Sequence, residues 1–139
     1  MVYNMNLIEL TNLIRKTLPD WHVTLDEAEM VNITADQLQM HEGFAYIEEL
    51  NTESVQYVYG RKETRDIDIY FCRFVPLDFV AEQREKIRIE CITPAVKAVE
   101  RALYDALGVT IFTHDKYPRG FDANEVLIHV SFQMSEMVC

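Results

Sequence analysis

The sequence predicts an α+β fold: a mostly antiparallel sheet with an N-terminal helix and a long, proline-interrupted helix packed on one face. Three observations predict it. Apolar residues recur at helical spacing around Leu7, Leu10 and Ile14, and again around Val96, Val99 and Leu103. Two stretches, Ile67 to Phe71 and Val126 to Met134, alternate apolar and polar residues with the period of a strand. The central candidate strands follow one another with connections too short for crossovers, which implies an antiparallel meander.

The first helix is expected from about Asn6 to Leu18. Asn4 or Asn6 caps its start, Arg15 and Lys16 suit the negative end of its dipole, and Pro19 stops it. Trp21, Val23 and Leu25 then alternate with His22 and Thr24 as a short half-buried strand. Residues 26–42 are acidic and ambiguous: Val31 and Ile33 extend a strand, or Ala35 to Met40 forms a helical turn. Strands are expected at Phe44–Leu50 and Glu53–Arg61, with Asn51 and Thr52 as a hairpin turn between them. Gly60 to Thr64 turns into the strongest strand, Arg65–Phe74, with Ile67, Ile69 and Phe71 on one face and Asp66, Asp68 and Tyr70 on the other.

A helical region is expected from Asp78 to Leu107, with Gly108 at the position where a backbone often turns left-handed. Thr93-Pro94 interrupts it. Either the helix kinks there, or Thr93 caps a second helix with Pro94 in its first turn. Glu82–Lys86 and Arg101–Asp105 are four apart and mark a solvated outer face. Val109–Thr113 reads as a short strand, His114–Asp122 as a polar loop, and Val126–Met134 as the last strand.

The chain has 139 residues, which suits a single domain spanning 1–139 and a core that needs no disulfide or metal staple. It holds 13 Lys+Arg against 23 Asp+Glu, a net charge of −10. The excess is local: Asp20, Asp26, Glu27, Glu29, Asp36, Glu42, Glu48, Glu49 and Glu53 fall between Asp20 and Gly60 without one Lys or Arg. Such a surface repels nucleic acid, whose phosphates need cations to replace their counterions. It is either a solvated face or one that steers a basic partner. No apolar run is long enough to span a membrane, and the N-terminal residues lack the pattern of a signal peptide, so an intracellular protein is expected.

Little in the sequence carries chemistry. Cys72, Cys91 and Cys139 lack metal-ligand spacing and read as reduced thiols. Asp66 and Asp68 share a strand face, as carboxylates holding a divalent metal do, but the lysine of a nuclease site is missing beside Glu63. His22, His41, His114 and His129 have no paired spacing, and Ser131, two residues from His129, has no nucleophile elbow. The four glycines are isolated, so no phosphate-cradling loop exists. Tyr57, Tyr59 and Tyr70, near Arg61, Lys62, Arg65 and Arg73, are either a base-stacking platform or cross-strand packing. No catalytic residue, cofactor or metal is expected.

As a whole the pattern resembles the tail-terminator and tail-completion proteins of long-tailed bacteriophages. The resemblance rests on the order of the amphipathic helix Leu7–Leu18, a short strand, a strand pair ending in Asp66-Ile67-Asp68-Ile69-Tyr70-Phe71, a long helix closing at Leu107-Gly108, and the strand Val126–Met134. It implies a non-enzymatic subunit of a ring, usually hexameric, that caps the tail tube and joins it to the head connector. It also implies a cytoplasmic protein during assembly and a virion-tail component afterwards. The Thr93-Pro94 break and the Lys116–Asp122 loop do not match the family pattern. A ring subunit needs two different patches, and the acidic Glu48, Glu49 and Glu53 with the basic Arg61, Lys62, Arg65 and Arg73 are the candidate assembly face. The competing expectations are a metal-dependent nuclease using Asp66 and Asp68, and a small protein-binding module.

Overall fold

The structure, a computed structural model, describes residues 5–25, 43–48, 53–75, 78–115 and 125–138. Helix α1 (Leu7–Thr17) starts at Asn6, whose side chain accepts the Glu9 N–H at 2.8 Å while Glu9 reaches back to the Asn6 N–H. That reciprocal pair satisfies two amides that a helix start otherwise leaves open. Six strands follow: β1 (Trp21–Thr24), β2 (Gly43–Ile47), β3 (Glu53–Tyr57), β4 (Arg61–Phe74), β5 (Thr113–Asp115) and β6 (Glu125–Val138). Between β4 and β5 run α2 (Ala81–Ile87), a π-helical turn at Arg88–Ile92, and α3 (Thr93–Leu107).

The fold is α+β, with the helices on one face of a mostly antiparallel sheet of order β1-β2-β4-β6-β5. β4 and β6 pair in unbroken register from Arg61↔Val138 to Phe74↔Glu125 and form the sheet's spine. Because side chains alternate across a strand, Ile67, Ile69 and Phe71 of β4 and Val126, Ile128, Val130, Phe132 and Met134 of β6 all point to the helices. Leu10 and Ile14 of α1 and Val96, Val99 and Leu103 of α3 close over them. The expected apolar faces of all four elements are thus buried. A smaller cluster on the opposite face joins Phe44, Tyr46, Cys72 and Leu127.

Several expectations are corrected. β1 pairs with β2 in parallel, with Trp21 opposite Gly43, so the sheet is not a simple meander. A Cβ on Gly43 would sit 2.6 Å from the Trp21 ring, which is why only glycine fits there. β2 and β3 are not a hairpin: both pair with β4, β3 along Arg61–Arg65 and β2 along Ile69–Cys72. The turn into β4 is Val58–Gly60, not Gly60–Thr64, and Arg61–Thr64 is already strand. Helix begins at Ala81 rather than Asp78, where the Gln83 side chain accepts the Val80 N–H at 2.9 Å. Val109–Phe112 is not strand; only Thr113–Asp115 reaches β6.

At Thr93-Pro94 the helix neither breaks nor restarts. Pro94 has no N–H, and its ring would crowd the carbonyl four residues earlier. A π turn absorbs this: the Thr93 N–H bonds back to the Arg88 carbonyl, and Thr93 Oγ1 donates to the same oxygen at 2.9 Å. Gly108 ends α3 at φ +70, as its position predicts. The expectations for residues 26–42, the Asn51-Thr52 turn, the Lys116–Asp122 loop, His41, Glu49 and Cys139 lie outside the described residues.

Candidate functional site

Two features stand out. The first is a polar and aromatic row on the sheet face opposite the helices. Tyr46, Tyr70 and His129 sit directly across from one another on β2, β4 and β6. Tyr70 stacks on His129 with centroids 4.4 Å apart and planes 7° from parallel, and on Tyr46 at 6.0 Å. Asp68 Oδ1 accepts from Ser131 Oγ at 2.8 Å and from His129 Nε2 at 2.7 Å, and Asp66 accepts from Gln133 at 2.9 Å. Burial, with the nearby Glu48 and Asp68 charges, pushes the Tyr70 phenol up to about 12.

This wiring decides what the row can do. A carboxylate only accepts, so the His129 Nε2 facing Asp68 carries the proton. Ser131 Oγ lies 3.3 Å from that same nitrogen and gives its own proton to Asp68. A nucleophilic serine needs the unprotonated nitrogen of an imidazole whose other nitrogen is held by the acid. Here serine and acid share one nitrogen, so the imidazole is not placed to activate Ser131. Asp66 and Asp68 do share a face, but among the described residues no three His, Cys, Asp or Glu side chains converge as a metal needs. Among the described residues the charges that act on Tyr70 are those of Glu48 and Asp68, opposite in sign to the cations that a base-stacking platform needs. Cys72 is fully buried, and that burial raises its thiol well above the ordinary range, with the Glu125 charge adding to it.

The second feature is an arm. β3, the first half of β4 and the last residues of β6 continue the sheet past the core as three strands. β3 is exposed at all five positions. At the arm's tip, Tyr57 is 76% exposed and Tyr59 is 96% exposed. Tyr59 takes φ +57, a left-handed conformation that Gly or Asn normally fills. The turn lies between Tyr57 and Arg61, and the Arg61 Nε donates to the Tyr57 hydroxyl at 3.3 Å.

Beside the arm's root is a cleft of about 610 Å³. It forms where β5 stops opposite Ser131 and is lined by the α3–β5 connection, Gly108–Ile111, on one side and β6 on the other. Its walls are apolar at Val109, Ile111 and Met134 and acidic at Asp66 and Asp68. Ile111 is 78% exposed.

The seven residues of the expected assembly face do not form one patch. Glu53 and Arg65 pair across β3 and β4 at 3.6 Å, and Arg61 pairs with Glu63. Lys62 lies between them on the opposite face of β4, so these four belong to the arm. Arg73, at the far end of β4, points to the helix side and donates to Cys91 Sγ at 3.1 Å. Glu48 lies beside Tyr70, and Glu49 is outside the described residues. The sequence reading missed the exposed tip and the cleft. An aromatic in place of the Asn of a hairpin turn, Tyr59-Gly60, is the one signal for the tip.

No protein-family model matches this chain, and no curated protein matches it either. Fold and geometry therefore define it as an α+β protein with a projecting three-stranded arm. Among the described residues, no helix is long and apolar enough to cross a membrane.

Proposed function

We propose that this chain is a non-enzymatic structural subunit that works by self-association, as the resemblance to phage tail terminators implies. The observation that carries the reading is the arm. An edge strand exposed at all five positions and an aromatic tip in solvent gain nothing for the folded monomer. Natural proteins guard exposed edge strands with Lys, Pro or bulges, and β3, Glu53-Ser54-Val55-Gln56-Tyr57, has none of these. The wiring of Asp68, His129 and Ser131 also supports a role without catalysis. The finer reading is a ring, usually a hexamer, that caps a tail tube and meets a head connector, with the protein cytoplasmic until it joins a virion tail. The test is sedimentation velocity of the purified protein at rising concentration and low salt, followed by negative-stain microscopy of the largest species. Discrete closed rings are expected. A monomer throughout the series overturns the reading.

A further inference from the structure

We infer that the arm tip of one copy seats in the Asp66–Ile111 cleft of the next, so that assembly is head-to-tail. The inference rests on the self-association proposed above and names its contact.

The tip and the cleft each present an exposed apolar side chain, and their charges are opposite. The tip offers Val58 and Tyr59, both strongly exposed, and the cleft offers the exposed Ile111, while Val109 and Met134 also line it but are buried. An aromatic side chain presented on a tight turn is the kind of anchor that dominates an interface once a pocket buries it. Tyr59 holds a backbone conformation that a glycine would adopt at lower cost, so its side chain is present in spite of the turn.

The charges agree. Arg61 is balanced by Glu63 and Arg65 by Glu53, which, among the described residues, leaves Lys62 as the cation beside the tip. In the cleft, Asp66 and Asp68 receive hydrogen bonds from Gln133, Ser131 and His129. A lysine arriving with the tip meets Asp66, an exposed carboxylate whose partner Gln133 is an uncharged amide.

The tip cannot reach the cleft of its own chain. Gly60 and Asp66 are six residues apart along a continuous strand, about 20 Å at ~3.3 Å per residue. The occupant must be a second copy. Tip and cleft are different surfaces, so each copy gives one and receives one. That is a heterologous contact, which closes into a ring when the rotation allows.

The experiment uses two variants of the full chain. Tyr59→Asp spoils the tip and Ile111→Asp spoils the cleft; both positions are solvent-exposed, so the fold survives. Each variant alone should associate at least tenfold more weakly than wild type by sedimentation velocity. Mixed one to one, they retain a single good contact, the tip of Ile111→Asp in the cleft of Tyr59→Asp. The mixture should form a dimer and nothing larger. Lys62→Glu should weaken assembly, and Lys62→Glu with Asp66→Lys should restore it. If wild type assembles and both variants assemble equally well, the tip-in-cleft contact is wrong while self-association stands. If wild type is a monomer, both fall. A mixture that stays monomeric while wild type assembles also overturns the contact.

Discussion

Replacing Gly43 by alanine tests the least expected feature of the sheet, the parallel pairing of β1 with β2. In that register Trp21 lies directly over Gly43. An alanine Cβ would meet three atoms of the indole ring at 2.6 to 2.7 Å. Carbon atoms rest about 3.5–4.0 Å apart, so the ring would have to retreat by roughly 1 Å. It has little room, because Trp21 is buried and packs edge-on against Phe71 with centroids 6.2 Å apart. Forcing one extra methyl into a filled core costs about 1–3 kcal/mol. Urea unfolding followed by tryptophan fluorescence measures this cleanly, since Trp21 is the single tryptophan. The midpoint should fall by that energy divided by the slope, with the slope itself unchanged, and the native emission should shift as the ring moves. An alanine variant as stable as wild type, with the same emission, would mean that Trp21 does not cover Gly43 and that the register is wrong.

Other consequences follow from single groups. Asn6→Ala removes the side-chain half of the cap on α1, leaving the Glu9 half, and should lower stability by about 1 kcal/mol in the same urea assay; no change would mean the cap is not formed. Cys72 should resist alkylation in the native protein and react only on unfolding, while half-buried Cys91 labels faster; equal rates by peptide mass mapping would contradict its burial. Tyr70 ties stability to alkaline pH. Its folded pKa of about 12 exceeds the ordinary tyrosine value of 10.0, so above pH 10 the unfolded chain loses this proton first and stability falls as pH rises through 12. Tyr70→Phe should flatten that part of the urea-midpoint profile, and an identical slope would remove Tyr70 as its source.

What the sequence made legible depended on where solvent stood. Wherever one face of an element is buried, the pattern is clear: Ile67-Asp68-Ile69 and Val126 to Met134 alternate because the helices cover only one side of the sheet. Leu10 and Ile14, and Val96 to Leu103, repeat at helical spacing for the same reason. Arg61-Lys62-Glu63-Thr64 carried no such signal because both faces are equally half-buried there, so cross-strand pairing alone defines it as strand. The parallel β1–β2 pair depends on residues far apart in the chain, and its one local trace, a glycine opposite a tryptophan, has no meaning until the strands are paired. The contact of Asp68 with His129 and Ser131 spans more than sixty residues and follows only from the β4–β6 register. The paired-carboxylate reading of Asp66 and Asp68 identified the right residues, and the register then supplied partners that hold them by hydrogen bonds. The net charge of −10 sharpened less than its distribution promised, because six of the nine acids between Asp20 and Gly60 lie outside the described residues.

The measurement that bears most directly on a self-assembling subunit is the molar mass of the native protein by light scattering across a concentration series at low salt. The arm predicts a mass that rises to a fixed whole-number multiple of the subunit and stays there, as a closed ring requires. A mass that remains that of one chain at every concentration would contradict the central claim.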